Sequence, residues 1–123
     1  GLAIHRTPAR HGFGAVGDAL APVSGFVLDD LYLAGDTVWY EAVEETIARH
    51  RPRVAVVNAG GAEFVEGGLI VMGADDVREV VARVPTVIAV HMEAINHCFL
   101  ERASLAAAIP GVLIPRDGET VEV

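Results

Sequence analysis

Apolar residues along this chain fall into short runs of four to six, separated by polar or glycine-rich stretches, and the runs alternate between two spacings. Leu2 to Thr7 predicts a short strand ended by Pro8. Residues 8 to 22 are rich in Gly, Ala and Pro and predict a loop with at most one helical turn. Gly25 to Leu28 and Leu31 to Ala34 flank Asp29-Asp30, two turn-forming residues between apolar runs, which is a hairpin pattern. From Thr37 to about His50 the apolar positions recur at helical spacing, with Thr37 as the expected cap. Glu41, Glu44 and Glu45 crowd the start of that segment and Arg49, His50 and Arg51 its end, which suits the helix dipole at both ends. Val54 to Val57 and Thr86 to Val90 are continuous apolar runs, the pattern of strands covered on both faces. Helices are predicted for Ala74 to Arg83 and Phe99 to Ala108, and further strands near Val112 to Ile114 and Thr120 to Val123. Strands alternating with helices in this order imply an α/β layered fold with a mixed sheet.

Composition narrows the function classes. At 123 residues the chain is a single unit, and its 52% apolar content with 6% aromatic suits tightly packed strands and helices. A formal charge of -8 argues against nucleic acid, where clustered Lys and Arg must neutralise phosphates, and against a polybasic membrane-binding surface. No apolar stretch approaches the roughly 18 residues of a membrane span. Cys98 is the single cysteine, so cysteine-rich zinc modules and an internal disulfide are excluded, and a reducing, cytoplasmic setting is expected. The first residue is Gly1 and not Met, which keeps a processed or excised piece among the readings.

Three apolar strands end in a polar residue: the one after Leu31 delivers Asp36, the one from Val54 delivers Asn58, and the one from Thr86 delivers His91. Sites in α/β sheets gather beyond the carboxyl ends of strands, so the three together point to a site. Taken singly each has a plainer role. Asp36 could help cap the following helix, Asn58 could serve a turn, and His91 could be a hydrogen-bonded structural histidine. His50 suits a helix C-terminus, His5 a solvent-facing strand position, and Cys98 a buried inert thiol. Gly12-Phe-Gly-Ala-Val-Gly17 matches the dinucleotide fingerprint formally, with Asp36 about 20 residues on. Gly12, Gly14 and Gly17 would then bind nucleotide, but Pro22 allows barely one helical turn where that motif needs a full helix.

Read together, His11-Gly, Ala34-Gly-Asp-Thr37 and Val90-His-Met-Glu-Ala-Ile-Asn-His97 resemble the later motifs of the metallo-β-lactamase superfamily, closest to its lactonase-like bacterial hydrolases. Val57-Asn-Ala-Gly-Gly61 also fits that subgroup, and the likeness runs from about residue 5 to the end. The resemblance implies half of an αββα sandwich, the C-terminal half. His11 and His91 would each serve one metal and Asp36 would bridge the two. Zinc is the metal implied, with manganese or iron as alternatives. Imidazole and carboxylate suit these ions, and a shared carboxylate holds two cations about 3.5–4 Å apart. Asp36, Glu93 and His97 are the candidate catalytic residues; Asn58 and Asn96 would orient the ligands or touch substrate. The three ligands would converge to within about 5 Å.

The family's leading motif, His-x-His-x-Asp-His, is absent ahead of His11. It would supply four further ligands and the other half of the sandwich, on the same or a separate chain. The chain is therefore expected to be part of a hydrolase acting on a small ester, lactone or phosphate-bearing molecule. Alone it would be inactive and would associate with the missing half or with itself. The rival reading is a non-catalytic assembly module whose ligands are relics.

Overall fold

The computed structural model describes residues 1–64 and 66–123. Its order is β1 (Ile4–Pro8), α1 (Gly14–Ala19), β2 (Ser24–Leu28), β3 (Leu31–Leu33), α2 (Glu41–His50), β4 (Val54–Asn58), α3 (Ala74–Val81), β5 (Thr86–Val90) and α4 (Arg102–Ala108). The strands form one five-stranded sheet in chain order. β1 pairs with β2 and β2 with β3 antiparallel, while β3, β4 and β5 are mutually parallel. The mixed α/β sheet with flanking helices agrees with the pattern of the sequence, and so does the hairpin at Asp29-Asp30, where Asp29 takes a left-handed conformation.

Period-two alternation divides the sheet into unlike faces. Val27, Tyr32, Ala55, Val57, Val87 and Ala89 share one core with Val43 and Ile47 of α2 and Val77 and Val80 of α3. The register puts Ile4, Phe26, Leu28, Leu31, Leu33, Val56 and Ile88 on the other face. There Ile4 is 60% exposed and Phe26 41%. The apolar runs of β4 and β5 thus have one face covered within this chain, not two. Leu113 pairs beside Ile88 and exchanges backbone hydrogen bonds with Val87 and Ala89, which extends the sheet by a single bridge. Residues 120–123 form no strand.

Helix boundaries depart from the sequence reading at the starts. α2 is preceded by Tyr40 and not by Thr37. Thr37 is fully buried; its hydroxyl accepts from the Arg10 amide at 2.9 Å and donates to the Val38 carbonyl at 2.8 Å, tying the β1–α1 loop to the segment after β3. The far end of α2 follows expectation: Arg51 turns left-handed, its amide returns to the Ile47 carbonyl at 2.8 Å, and Pro52 blocks continuation. α4 begins at Arg102, later than the apolar pattern from Phe99 suggests. The glycines at 12, 14 and 17 build a six-residue α1, and a Cβ on Gly17 would meet the Gly12 carbonyl oxygen at 2.3 Å. Because the flanking β1 and β2 are antiparallel, β1–α1–β2 is not a βαβ unit, and Gly12 to Gly17 lacks the setting of a dinucleotide fingerprint.

Candidate metal centre

The polar residues delivered by β3, β4 and β5 do lie at one end of the sheet, as parallel strands require. After β3, Gly35 takes a φ of 71°, and a Cβ there would stand 2.9 Å from the Ser24 carbonyl oxygen. That turn carries Asp36 across toward β4. Asn58, the last residue of β4, donates from Nδ2 to Asp36 Oδ1 at 2.6 Å. One carboxylate oxygen is thereby held, and the other, Oδ2, faces the His11 ring, with Nε2 at 4.0 Å.

His11 comes from the loop between β1 and α1, and its orientation is set by backbone. Nδ1 stands 2.6 Å from the Ile70 carbonyl oxygen. A carbonyl only accepts, so Nδ1 is the donor of that bond and Nε2 is the ring nitrogen turned toward Asp36. A backbone carbonyl behind the imidazole is the usual support of a metal-ligating histidine, because it fixes both tautomer and ring plane. The donor set is chemically right for a divalent transition metal: an imidazole nitrogen and a carboxylate oxygen, each locked from behind by a hydrogen bond.

His91 follows β5 directly and has an exposed side chain; its φ is 58°, unusual for a residue with a Cβ. Glu93 has the same left-handed φ of 58°. Such backbone costs on the order of 1–2 kcal/mol per residue and persists where surrounding contacts enforce it. Those contacts are visible: Leu100 donates to the Gly60 carbonyl at 3.0 Å, and Ala59 to the Val90 carbonyl at 2.9 Å. Among the described residues, no three His, Cys, Asp or Glu side chains stand close enough together to hold a metal ion. The chain brings His11 and Asp36 together and leaves His91 outside a three-residue cluster.

The remaining candidates divide. Glu93 is engaged by Arg102, accepting from its amide and from its guanidinium, each at 2.7 Å. Those bonds hold its carboxyl below the usual range and anchor the start of α4. His97 tilts against Phe64, with ring centroids 5.4 Å apart, and its Nδ1 lies 3.4 Å from Asn96 Oδ1. Cys98 is half-buried, its Sγ 3.9 Å from the His91 carbonyl oxygen, and burial followed by the charge of Asp36 pushes its thiol up. A protonated, inert thiol is the result. His5 and His50 meet each other elsewhere, their ring centroids 5.3 Å apart. The sequence reading missed the Ile70 carbonyl and Arg102. A backbone acceptor leaves no mark in residue type, and an Arg nine positions from its partner is found only after the loop is folded.

No model of a known protein family matches the chain. UPF0173 protein YddR of Bacillus subtilis (strain 168) is 37% identical over 134 residues, a match covering 98% of this chain and 53% of that protein. The isothiocyanate hydrolase from Delia radicum gut bacteria superposes with a TM-score of 0.89 at 37% identity, over 99% of this chain and 55% of that one. A possible metal-dependent hydrolase from Veillonella parvula gives a TM-score of 0.90 at 32% identity, over 100% of this chain and 55% of that one. The fold is thus that of part of these two hydrolases, and the chain spans about half the length of the proteins it matches.

Proposed function

We propose that this chain is part of a metal-dependent hydrolase in which His11 and Asp36 hold one divalent cation while Asp36 and His91 serve a second. The observation that carries the reading is His11 Nε2 facing Asp36 Oδ2 at 4.0 Å while the Ile70 carbonyl holds Nδ1. An imidazole nitrogen and a carboxylate oxygen turned toward one another are two ligand atoms that one cation can join. Asn58 occupies the other carboxylate oxygen, so Oδ2 is the one left for a cation. Zinc is the ion that imidazole and carboxylate favour best, with manganese or iron as alternatives. When bound, such an ion supplies Lewis acidity and brings the pKa of water toward neutrality.

Similarity to an isothiocyanate hydrolase and to a possible metal-dependent hydrolase supports the class of reaction. The substrate is then a small molecule with an electrophilic centre open to water: an ester, lactone or phosphate-bearing compound, or an isothiocyanate. Within the chain, the Ile70 carbonyl and Asn58 hold the two ligands in place. His97 and Asn96, beside the metal end of the sheet, are left to contact substrate. Glu93 takes part only if it leaves Arg102. The ligands that complete each cation would come from the half of the domain that covers the exposed sheet face. A non-catalytic assembly module is the second reading, favoured by that same face and by the absence of a three-ligand cluster among the described residues.

Zinc titration of the 123-residue chain against a chromophoric chelator tests the proposal. Binding should be weak, because the site is under-coordinated, and Asp36→Asn or His11→Ala should abolish it. The His5–His50 pair is the competing zinc site, so His50→Ala should leave binding intact. Zinc binding that survives Asp36→Asn and disappears in His50→Ala would overturn the assignment.

A further inference from the structure

Between the loop after β4 and the loop after β5 lies a depression of about 450 Å³, lined by Glu63, Phe64, Gly68, Asn96, His97 and Phe99. Its size falls in the range of small-molecule sites. The two loops are joined across it: Ala62 pairs with Cys98, and the Glu63 amide donates to the His97 carbonyl at 3.1 Å. That joining places the depression beside the metal end of the sheet. Cys98, between two of the lining residues, has its Sγ 3.9 Å from the carbonyl oxygen of His91, the residue that β5 delivers. Ile70, whose carbonyl orients His11, sits at the foot of the same loop, its amide bonded to the Ala62 carbonyl at 2.8 Å.

The lining is aromatic and nearly uncharged. The Phe64 and His97 rings form one wall, tilted by 36° to each other, and Phe99, also in the lining, is 63% exposed. A tilted pair of packed rings offers a third flat group the edge-to-face or offset contacts that aromatic quadrupoles favour. Glu63 is the one lining residue with a fixed charge, and it is negative. A second depression, of about 480 Å³ around Arg51, Arg53 and Arg83, is of opposite character. Its Arg53 and Arg83 are already paired with Asp30 and Glu44, and it lies among residues at the other ends of β4 and β5.

We propose that the depression between these loops receives a neutral aromatic side group of the substrate, with Phe64, Phe99 and the His97 ring as its walls and Glu63 repelling anions. Calling that ligand the substrate rests on the hydrolase reading; the binding itself does not. The test is an amide NMR titration of the metal-free, 15N-labelled chain with 2-phenylethanol and, separately, phenylacetate. Saturable shifts are expected at Gly68, His97 and Phe99 with the neutral probe. Phe99→Ala should weaken its binding roughly 3- to 10-fold, the share of one aromatic pair. Phenylacetate should bind more weakly, and Glu63→Gln should narrow the difference. Shifts confined to Phe26, Leu33 and Ile88 on the open sheet face, or an unchanged affinity in Phe99→Ala, would refute the proposal. Because no metal is present in this titration, its failure leaves the zinc result standing, and loss of the zinc site leaves this result standing.

Discussion

At the scale of single residues, the centre is organised by groups that hold other groups. Asp36 was legible in the sequence as a carboxylate after an apolar strand, yet its two oxygens differ only because Asn58 bonds one of them. His11 becomes a usable ligand only because a carbonyl 59 positions away fixes its tautomer. Asp76 shows the same principle in a structural role. It accepts from the Trp39 amide at 3.2 Å, while burial pushes its carboxyl above the usual aspartate range. A raised pKa means the folded state holds that proton more tightly than the unfolded chain does. Its contribution is therefore favourable at low pH and is lost as pH rises through the ordinary aspartate pKa to the raised one. Urea unfolding of the wild type and Asp76→Asn, between about pH 4 and 7, checks this. The variant keeps an acceptor for Trp39 and should show a flatter decline with rising pH.

At the scale of elements, the strands are more faithful to the sequence than the helix starts are. β4 and β5 sit where their apolar runs place them. α2 and α4 begin later than their patterns suggest, because Thr37 and Leu100 are committed to tertiary hydrogen bonds, Leu100 to the Gly60 carbonyl. The loops after β4 and β5 carry the chemistry, and their closeness depends on Gly60. A Cβ there would stand 2.5 Å from the His91 carbonyl oxygen and 2.7 Å from Cys98 Sγ. Gly60→Ala must push these loops apart, at an expected cost of about 1–3 kcal/mol. Chemical denaturation measures that cost; an unchanged midpoint would show that the loops yield freely.

For the whole molecule, the governing fact is a sheet with one covered face. Ile4 and Phe26 are exposed on that side, Leu33, Val56 and Ile88 are half-buried beside them, and Arg6 pairs with Phe26 on the same face. Patches beyond a few hundred Å² are unusual on soluble monomers and mark interfaces. The purified chain should therefore self-associate, or bind the complementary half of the domain where that is supplied. Light scattering should give a mass above the 12.9 kDa of the single chain. Phe26→Lys, at an exposed position, should lower that mass while leaving the far-UV circular dichroism unchanged. A monodisperse monomer would contradict this account of the face.

Local chemistry was enough to determine β1 to β5 with α2, α3 and α4 among them, the hairpin, the end of α2 at Arg51-Pro52 and the delivery of Asp36, Asn58 and His91 beyond strand ends. Each depends on residue spacing, turn preference or the alternation of side chains across a strand, and these act over a few positions. The same local pattern missed α1 and added a strand at 120–123 that the fold does not form. Which apolar face is covered, which glycines serve packing and not a ligand, and which groups engage His11 and Glu93 were decided by the folded chain alone. Those outcomes join residues as far apart as His11 and Ile70, and the contact on one side is often a backbone carbonyl. Every residue carries that carbonyl, so its position in space, and not its type, makes it part of the site.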